Sequence, residues 1–206
     1  MQISDDRYRR HRRAFDLAWR MIGHGARTNT ISRWTGLTER RIRRLQRSYG
    51  VETAGAAPKR PRGRSPYRVE LLLRSPRLRQ DAVALAQLCQ DVGLLSFAPS
   101  DDVRFLQPNI EKGERLCTVF EAFKSNFRQS IITIEQMFLL VAALLSREEV
   151  DLARCSACSH VAILDRLQVS PRHCQSCGRA FFPEPNSNRG QAATTKPHLA
   201  WSVRRL

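Results

Sequence analysis

The chain has 206 residues, of which 42% are apolar, so it can bury the core of one large or two small domains and is not wholly disordered. Its net charge of +16 is concentrated at one end, because residues 1–80 hold 21 basic and 6 acidic side chains while residues 81–206 hold 14 and 13. This segregation favours a surface that binds a polyanion. No run reaches the ~18 apolar residues of a membrane span, and no apolar signal segment follows the arginine-rich start, so we expect a cytoplasmic protein without a membrane partner.

The first fifty residues carry a helical pattern. Residues 7–24 alternate arginines with apolar residues at helical spacing, which predicts an amphipathic helix with a basic outer face. Residues 28–49 predict a short helix, a turn at Gly36 and a second helix, with Thr38 as its N-cap and Gly50 as its terminator. This layout is typical of a helix-turn-helix motif.

The second of these helices has an apolar stripe on one side and arginines on the other. In a helix-turn-helix, the second helix enters the major groove, where arginine can form two hydrogen bonds to guanine. The residues expected over the bases are Arg40, Arg43, Arg44 and Arg47. Thr38 and Arg41 are expected at phosphates or flanking positions. A helical hairpin with a solvated arginine face is the alternative, but Glu39 is the only acidic residue there to balance the charge of five arginines.

Residues 53–66 are rich in proline, glycine and basic side chains, which disfavours regular structure. The basic side chains expected to contact DNA are Lys59, Arg60, Arg62 and Arg64. Such an arm could follow a phosphate backbone or enter a minor groove. A plain interdomain linker is the alternative, but a linker does not need four positive charges.

Apolar residues return at helical spacing in residues 67–95 and 116–145, which predicts four helices in a core or oligomerisation region that spans residues 67–150. Pro76 divides the first pair of helices, and residues 96–109 are expected to form a loop. Two cysteines in this region, Cys89 and Cys117, have apolar helical surroundings and are interpreted as small core residues.

Four cysteines follow as two C-x2-C pairs separated by fifteen residues, in a region expected to span residues 151–182. They are Cys155, Cys158, Cys174 and Cys177. This spacing is typical of a structural zinc site, in which four thiolates fill the tetrahedral shell and leave no position for substrate. Two disulfides are the alternative, but they require an oxidising compartment. His160 and His173 lie beside the pairs and could replace a thiolate, and residues 183–206 are expected to form a flexible basic tail.

The sequence therefore predicts a mainly α protein with an N-terminal helix-turn-helix in residues 1–52, a helical middle and a C-terminal zinc-ribbon-like knuckle. In this order the chain resembles the C subunit of the flagellar master activator, the FlhC family. The resemblance rests on Ala18–Arg27, Thr35–Leu37, Arg43–Gly50 and the two late C-x2-C pairs, and it extends from about residue 14 to about residue 178. The basic arm at residues 57–66 departs from the proline- and aromatic-rich segment of the family.

The resemblance implies a zinc-dependent transcription activator with one structural zinc ion per chain. It also implies a small helical D-type subunit as partner in a heterohexamer, binding to promoter DNA, and recruitment of RNA polymerase. Relatives of the family on mobile elements activate conjugation genes, so flagellar and conjugative-transfer promoters both stay open as targets.

Two alternatives belong to other functional classes. A nucleic-acid enzyme such as a recombinase would need an acidic metal cluster or an activated serine or tyrosine, and Tyr8, Tyr49 and Tyr67 lie in no such constellation. An RNA-binding zinc-ribbon protein would interleave aromatic and basic residues for base stacking, and the basic segment lacks that platform. We therefore expect a binding protein for double-stranded DNA, not an enzyme, with no small-molecule substrate.

Overall fold

The computed structural model describes residues 2–53, 63, 65–96, 107–166 and 173–181. The helices in these ranges are α1 (Gln2–Gly23), α2 (Thr28–Thr35), α3 (Glu39–Glu52), α4 (Glu70–Leu73), α5 (Pro76–Asp91), α6 (Ile110–Asn126) and α7 (Ile134–Ser146). The strands are β1 (Val150–Arg154) and β2 (Val161–Asp165), so the prediction of a mainly α fold is confirmed. None of the described helices combines the length and apolar character needed to cross a bilayer.

Three helices at the amino-terminal end pack on one another, because each buries one apolar stripe. Leu17 of α1, Ile31 of α2 and Ile42 of α3 are fully buried in the main core. The chain reverses between α2 and α3 at Gly36, whose φ of 72° and ψ of 6° lie in the left-handed region. The Gly36 N–H donates to the Ser32 carbonyl at 2.8 Å, so glycine ends α2 as the sequence predicts.

The ends of α3 differ from the prediction. Thr38 has the extended backbone of an N-cap, but its side chain accepts no capping hydrogen bond. Gly50 does not end the helix, because α3 continues to Glu52 and Gly50 keeps a negative φ. The Thr53 N–H and hydroxyl both donate to the Tyr49 carbonyl, at 3.0 and 2.7 Å, so Thr53 closes the last turn, three residues after the predicted terminator.

The helical middle supplies most of the remaining core. Pro76 separates α4 from α5, as predicted, and α5 begins at Pro76 after an N-cap at Ser75. In contrast, α6 begins at Ile110, well before the predicted start at Leu116. The Asn109 side chain accepts from the Lys112 N–H at 2.8 Å and thereby allows this earlier start. Gly113 lets α6 approach α1 closely, because an added Cβ would lie 2.7 Å from a methyl group of Leu17.

The two cysteines outside the C-x2-C pairs lie in the apolar surroundings that the sequence predicts. Cys89 of α5 and Cys117 of α6 are fully buried among apolar side chains. Burial raises the pKa of each thiol to about 12, which suppresses the reactive thiolate.

A short hairpin joins the helices to the four cysteines. β1 and β2 are antiparallel, with Leu152 opposite Ile163 in the register. Side chains alternate between two clusters, because successive residues of a strand face opposite sides. Ile163 joins the main core, whereas Leu164 packs in a smaller cluster with Cys155, Cys174 and Phe181. The hairpin therefore seats the cysteine cluster on the helical core.

Candidate functional site

The four cysteines of the two C-x2-C pairs converge, and their Sγ atoms all lie within 4.8 Å of one another. Cys155 is 3.6 Å from Cys177, and Cys158 is 3.5 Å from Cys174, measured between sulfur atoms. Four sulfurs at about 2.3 Å from one tetrahedral ion would stand about 3.8 Å apart, close to these distances. A disulfide needs about 2.05 Å, and all four are free thiols. The cluster can therefore hold a metal ion.

The two cysteine pairs share one backbone geometry. In each pair the N–H of the first cysteine donates to the carbonyl five residues later, at 2.8 Å for Cys155 and 2.7 Å for Cys174. The residue after the second cysteine has a positive φ, 59° at Ser159 and 73° at Gly178, and its N–H donates back to the carbonyl of the first cysteine. Each loop is thus a tight turn that directs two sulfurs to the same point.

Backbone groups prepare this cluster for a cation. The N–H groups of Cys158 and Ala157 donate to the Cys155 sulfur and lower its pKa to about 6. At Cys177 the Arg179 N–H favours the thiolate, but the hydrogen bond with Cys158 and burial outweigh it and raise the pKa to about 11. These backbone groups therefore favour the thiolate form of Cys155. Thiolates are the form that binds metal, so a cation would take the place of the remaining protons.

The neighbouring histidines are not part of this cluster. Among the described residues, the group of side chains close enough to share an ion consists of the four cysteines alone. His160 and His173 are both exposed at the surface. Neither replaces a thiolate in the arrangement that the structure describes.

The arginines predicted to face DNA form an exposed face on α3. Arg40, Arg43, Arg44 and Arg47 are all exposed, as is Thr38. Arg43 forms an ion pair with Glu39 at 2.8 Å, one turn away on the same helix. In the part of the chain that the structure describes, no ion pair or hydrogen bond engages Arg40, Arg44 or Arg47. This face is available to an external polyanion.

Arg41 has a different environment from its neighbours. Its guanidinium lies 2.8 Å from the His11 ring nitrogen and 5.8 Å from the centre of the Phe15 ring, both on α1. Arg41 therefore helps pack α3 on α1, a contact that helical spacing alone does not reveal.

The basic arm lies largely outside the described residues, and this includes Lys59, Arg60, Arg62 and Arg64. Gly63 is described, and its carbonyl accepts a hydrogen bond of 2.5 Å from the Arg27 guanidinium. Arg27 is the residue just before α2, so this point of the arm lies beside the beginning of α2.

Sequence reasoning missed the residue that anchors α2. Glu135 lies in the first turn of α7 and is buried. Its carboxylate accepts from the Arg27 N–H at 2.8 Å and from the Thr30 hydroxyl at 2.9 Å. An acidic residue in the first turn of a helix is common, because it complements the helix dipole, so the sequence held no signal of this longer-range role.

Ion pairs fasten α1 to α6. Glu121 accepts from Arg20 at 2.8 Å and lies 2.9 Å from His24. Desolvation raises the pKa of Glu121, but the hydrogen bonds from Arg20 and His24 outweigh it and lower the pKa overall. Arg13 likewise pairs with Glu114, with 3.0 Å between Nε and the carboxylate. Part of the predicted basic outer face of α1 is therefore engaged in ion pairs with α6.

Two features of the described residues bear on function: the four-cysteine cluster and the exposed arginine face of α3. Each is assembled by packing against the same helical core. Among known proteins, no family model and no curated sequence matches this chain.

Proposed function

We propose that the protein is a sequence-specific, double-stranded DNA-binding transcription activator whose four cysteines hold one structural zinc ion. The observation that carries the proposal is the exposed arginine face of α3, on which Arg40, Arg44 and Arg47 have no partner among the described residues. An unpaired cluster of like charges is costly to hold together, and a phosphate duplex would offset that cost.

The arrangement of α2, the Gly36 turn and α3 supports a helix-turn-helix as the DNA-binding element. An α-helix fits the major groove, and the amino-terminal residues of a recognition helix contact base edges. Arg40, Arg44 and Arg47 recur at helical spacing from the first turn of α3, so they project from one side. The apolar residues Ile42 and Leu45 project to the other side and join the core.

The support behind α3 is suited to recognition, because base readout requires a rigidly placed helix. The Tyr49 ring packs on Trp19 of α1 with 4.8 Å between ring centres. The Tyr49 hydroxyl also lies where a Cβ on Gly23 would be only 2.7 Å away, so the end of α1 fits closely against α3. Glu135 holds the beginning of α2 on α7 in the same way.

The donor set of the cysteine cluster favours zinc. Four thiolates suit a tetrahedral soft or borderline ion, and zinc in such a site has no open position for water or substrate. The ion would therefore stabilise the fold and would not catalyse a reaction, which agrees with a protein that is not an enzyme. Metal analysis of the purified protein is expected to give one zinc per chain, and iron or no metal would contradict this assignment.

The biological setting follows from the resemblance to the C subunit of the flagellar master activator. On that basis we propose a cytoplasmic protein that joins a small helical D-type subunit in a heterohexamer and recruits RNA polymerase to flagellar or conjugative-transfer promoters. Co-purification from the native host tests this part directly, because a D-type partner and the bound promoters would be recovered together.

Selection from a library of duplexes with a randomised centre tests the DNA-binding proposal. The protein is expected to enrich one motif, and Arg44→Ala with Arg47→Ala is expected to abolish the enrichment. Each arginine–guanine pair contributes about 1–3 kcal/mol of discrimination, or roughly 5- to 150-fold. The control is Arg128→Ala, because Arg128 is exposed and follows the carboxyl-terminal end of α6, outside the arginine face of α3. Unchanged enrichment in the α3 variant would refute the assignment.

A further inference from the structure

We infer that the last turn of α3 also lies in the major groove, where Val51 contacts the methyl group of a thymine and Gly50 lets the helix approach the sugar–phosphate backbone closely. This placement rests on the proposed function and extends it, because helix-turn-helix reasoning assigned base contact on α3 to arginines alone. It implies that α3 lies lengthwise in the groove and reads a thymine beyond the bases that the arginines read.

Val51 continues the line of exposed arginines along α3. It follows Arg40, Arg44 and Arg47 by 11, 7 and 4 residues, and these spacings share one side of a helix with 3.6 residues per turn. The Val51 side chain is 81% exposed, the most exposed of the large apolar side chains in the ranges that the structure describes. The apolar residue Ile42, in contrast, is fully buried on the other side of α3. Val51 is therefore an apolar side chain on the arginine face.

An apolar side chain at this position matches one base of the major groove. Valine can neither donate nor accept a hydrogen bond through its side chain, and thymine is the base that presents a methyl group there. Eleven residues of helix at about 1.5 Å each span about 16 Å, and successive bases are about 3.4 Å apart. A helix lying along the groove would thus bring Arg40 and Val51 to bases about five pairs apart.

Gly50 is a second, independent observation at the same turn. Glycine inside a helix lowers stability relative to alanine, so a helical glycine usually has a steric or conformational reason. The φ of Gly50 is not positive, and a Cβ built on it would meet no described neighbour within 4 Å. Neither backbone conformation nor packing against the described residues therefore requires glycine here. Close approach of the backbone to a ligand is another reason for glycine, and it is the one that fits this position.

The position of Gly50 on the helix indicates which part of the duplex it approaches. Gly50 follows Arg43 and Arg47 by seven and three residues, so it lies at one edge of the arginine face. A helix with its side chains is about 10–12 Å wide and the major groove is about 12 Å wide, so the edges of an inserted helix face the groove walls. A missing side chain at that edge would let the last turn sit deeper, and Val51, the next residue, would reach the bases.

Replacement of thymine by deoxyuridine tests the Val51 contact, because it removes the methyl group alone. Each thymine of the motif selected above is replaced in turn, and the dissociation constant is measured by fluorescence anisotropy. One replacement is expected to weaken binding of the wild-type protein about fourfold, the effect of one buried methyl group. Val51→Ala is expected to bind the two duplexes equally. The sensitive thymine is expected about five base pairs from the position whose preference is lost in Arg40→Ala.

The matched control is Val92→Ala. Val92 is also an exposed valine at the end of a helix, since it is 40% exposed and caps α5, but it is not on α3. This variant is expected to keep the full sensitivity to deoxyuridine.

Replacement of Gly50 by alanine tests the close approach with two measurements that should move in opposite directions. The urea midpoint is expected to rise, because alanine favours the helix and the added methyl group meets open space. Affinity for any duplex is expected to fall by about fivefold or more, the effect typical of one extra methyl group in a close contact. Since the variant would be more stable, loss of affinity could not be attributed to unfolding.

The outcomes separate this placement of α3 from the proposed function. If no thymine is sensitive to the replacement, or if Val51→Ala keeps the sensitivity, Val51 does not read thymine. If Gly50→Ala binds duplexes as tightly as the wild-type protein, or lowers the urea midpoint, the close approach is refuted. In these cases DNA recognition by α3 stands as long as Arg44→Ala with Arg47→Ala abolishes the enrichment. If the wild-type protein enriches no motif, the proposed function is refuted and the Val51 and Gly50 contacts with it.

Discussion

Replacement of Glu135 by alanine tests how α2 and α3 are held in place. The Glu135 side chain is 8% exposed, and it accepts hydrogen bonds of 2.8 and 2.9 Å from the Arg27 N–H and the Thr30 hydroxyl. The Arg27 guanidinium also lies near, with 3.9 Å between its Nε and the carboxylate. The substitution would leave these donors without their acceptor and would remove the polar link between α2 and α7, while the stacked rings of Trp34 and Phe138 would stay.

The expected loss of stability follows from these contacts. A hydrogen bond to a charged group contributes about 1.5–3 kcal/mol, so two of them give about 3–6 kcal/mol. Removing one partner of a buried ion pair costs a similar amount, about 3–5 kcal/mol. Since a domain of this kind is stable by only about 5–15 kcal/mol, Glu135→Ala is expected to remove a large part of the total. Glu135→Gln keeps an acceptor and is expected to cost less.

Urea unfolding followed by circular dichroism measures this loss as a lower midpoint with an unchanged m-value. The control is Glu39→Ala, because Glu39 is also in the first turn of a helix and also pairs with an arginine, but is 59% exposed. An exposed pair of this kind contributes about 0.3–0.5 kcal/mol. If Glu135→Ala lost no more than this control, the anchoring role assigned to Glu135 would be wrong.

Three further predictions concern the thiols, the loops and acid stability. After chelation of the metal, a thiol reagent is expected to modify four cysteines quickly, while Cys89 and Cys117 react only on unfolding because they are fully buried; early reaction of all six would contradict this. Ser159→Gly is expected to raise the free energy of unfolding by about 1 kcal/mol, because a left-handed φ costs a non-glycine residue that much. Gly178→Ala is expected to lower it, and equal thermal midpoints for the two variants would contradict the assigned turn geometry. The pKa of Glu121 is lowered, so its pairs stabilise the fold above the ordinary carboxyl pKa of 4.5 and lose that effect as pH falls through the lower folded value. Glu121→Gln is therefore expected to weaken the acid dependence of the urea midpoint, and an unchanged pH profile would show that the pairs contribute nothing.

Several features were predictable because they depend on local chemistry. The C-x2-C spacing brings two sulfurs together in one tight turn, and two such turns meet in the structure as expected. Gly36 adopts the left-handed conformation that the turn requires, and Pro76 begins α5 because proline fits the first turn of a helix. The buried cysteines were predictable from their apolar neighbours.

Other features were predicted wrongly, because a local sequence signal pointed to one helix boundary while packing and capping contacts produced another. Glycine is a residue type that often ends helices, but α3 continues beyond Gly50, because Tyr49 packs on Trp19 and Thr53 caps the helix. The earlier start of α6 depended on Asn109, a cap residue inside a segment whose prolines indicate a loop. In both cases the helix boundary depends on which backbone groups find hydrogen-bond partners.

The sequence is sufficient to predict the charge segregation, the periodicity of the helices and the spacing of the four cysteines, because these are properties of residues that are close in sequence. Which arginines are engaged within the protein depends instead on how the helices pack. Arg13, Arg20 and Arg41 are engaged by partners on other helices, whereas Arg40, Arg44 and Arg47 have none among the described residues. Their side chains are chemically identical, so the difference arises from the carboxylates and rings that packing of α1, α3 and α6 places beside them.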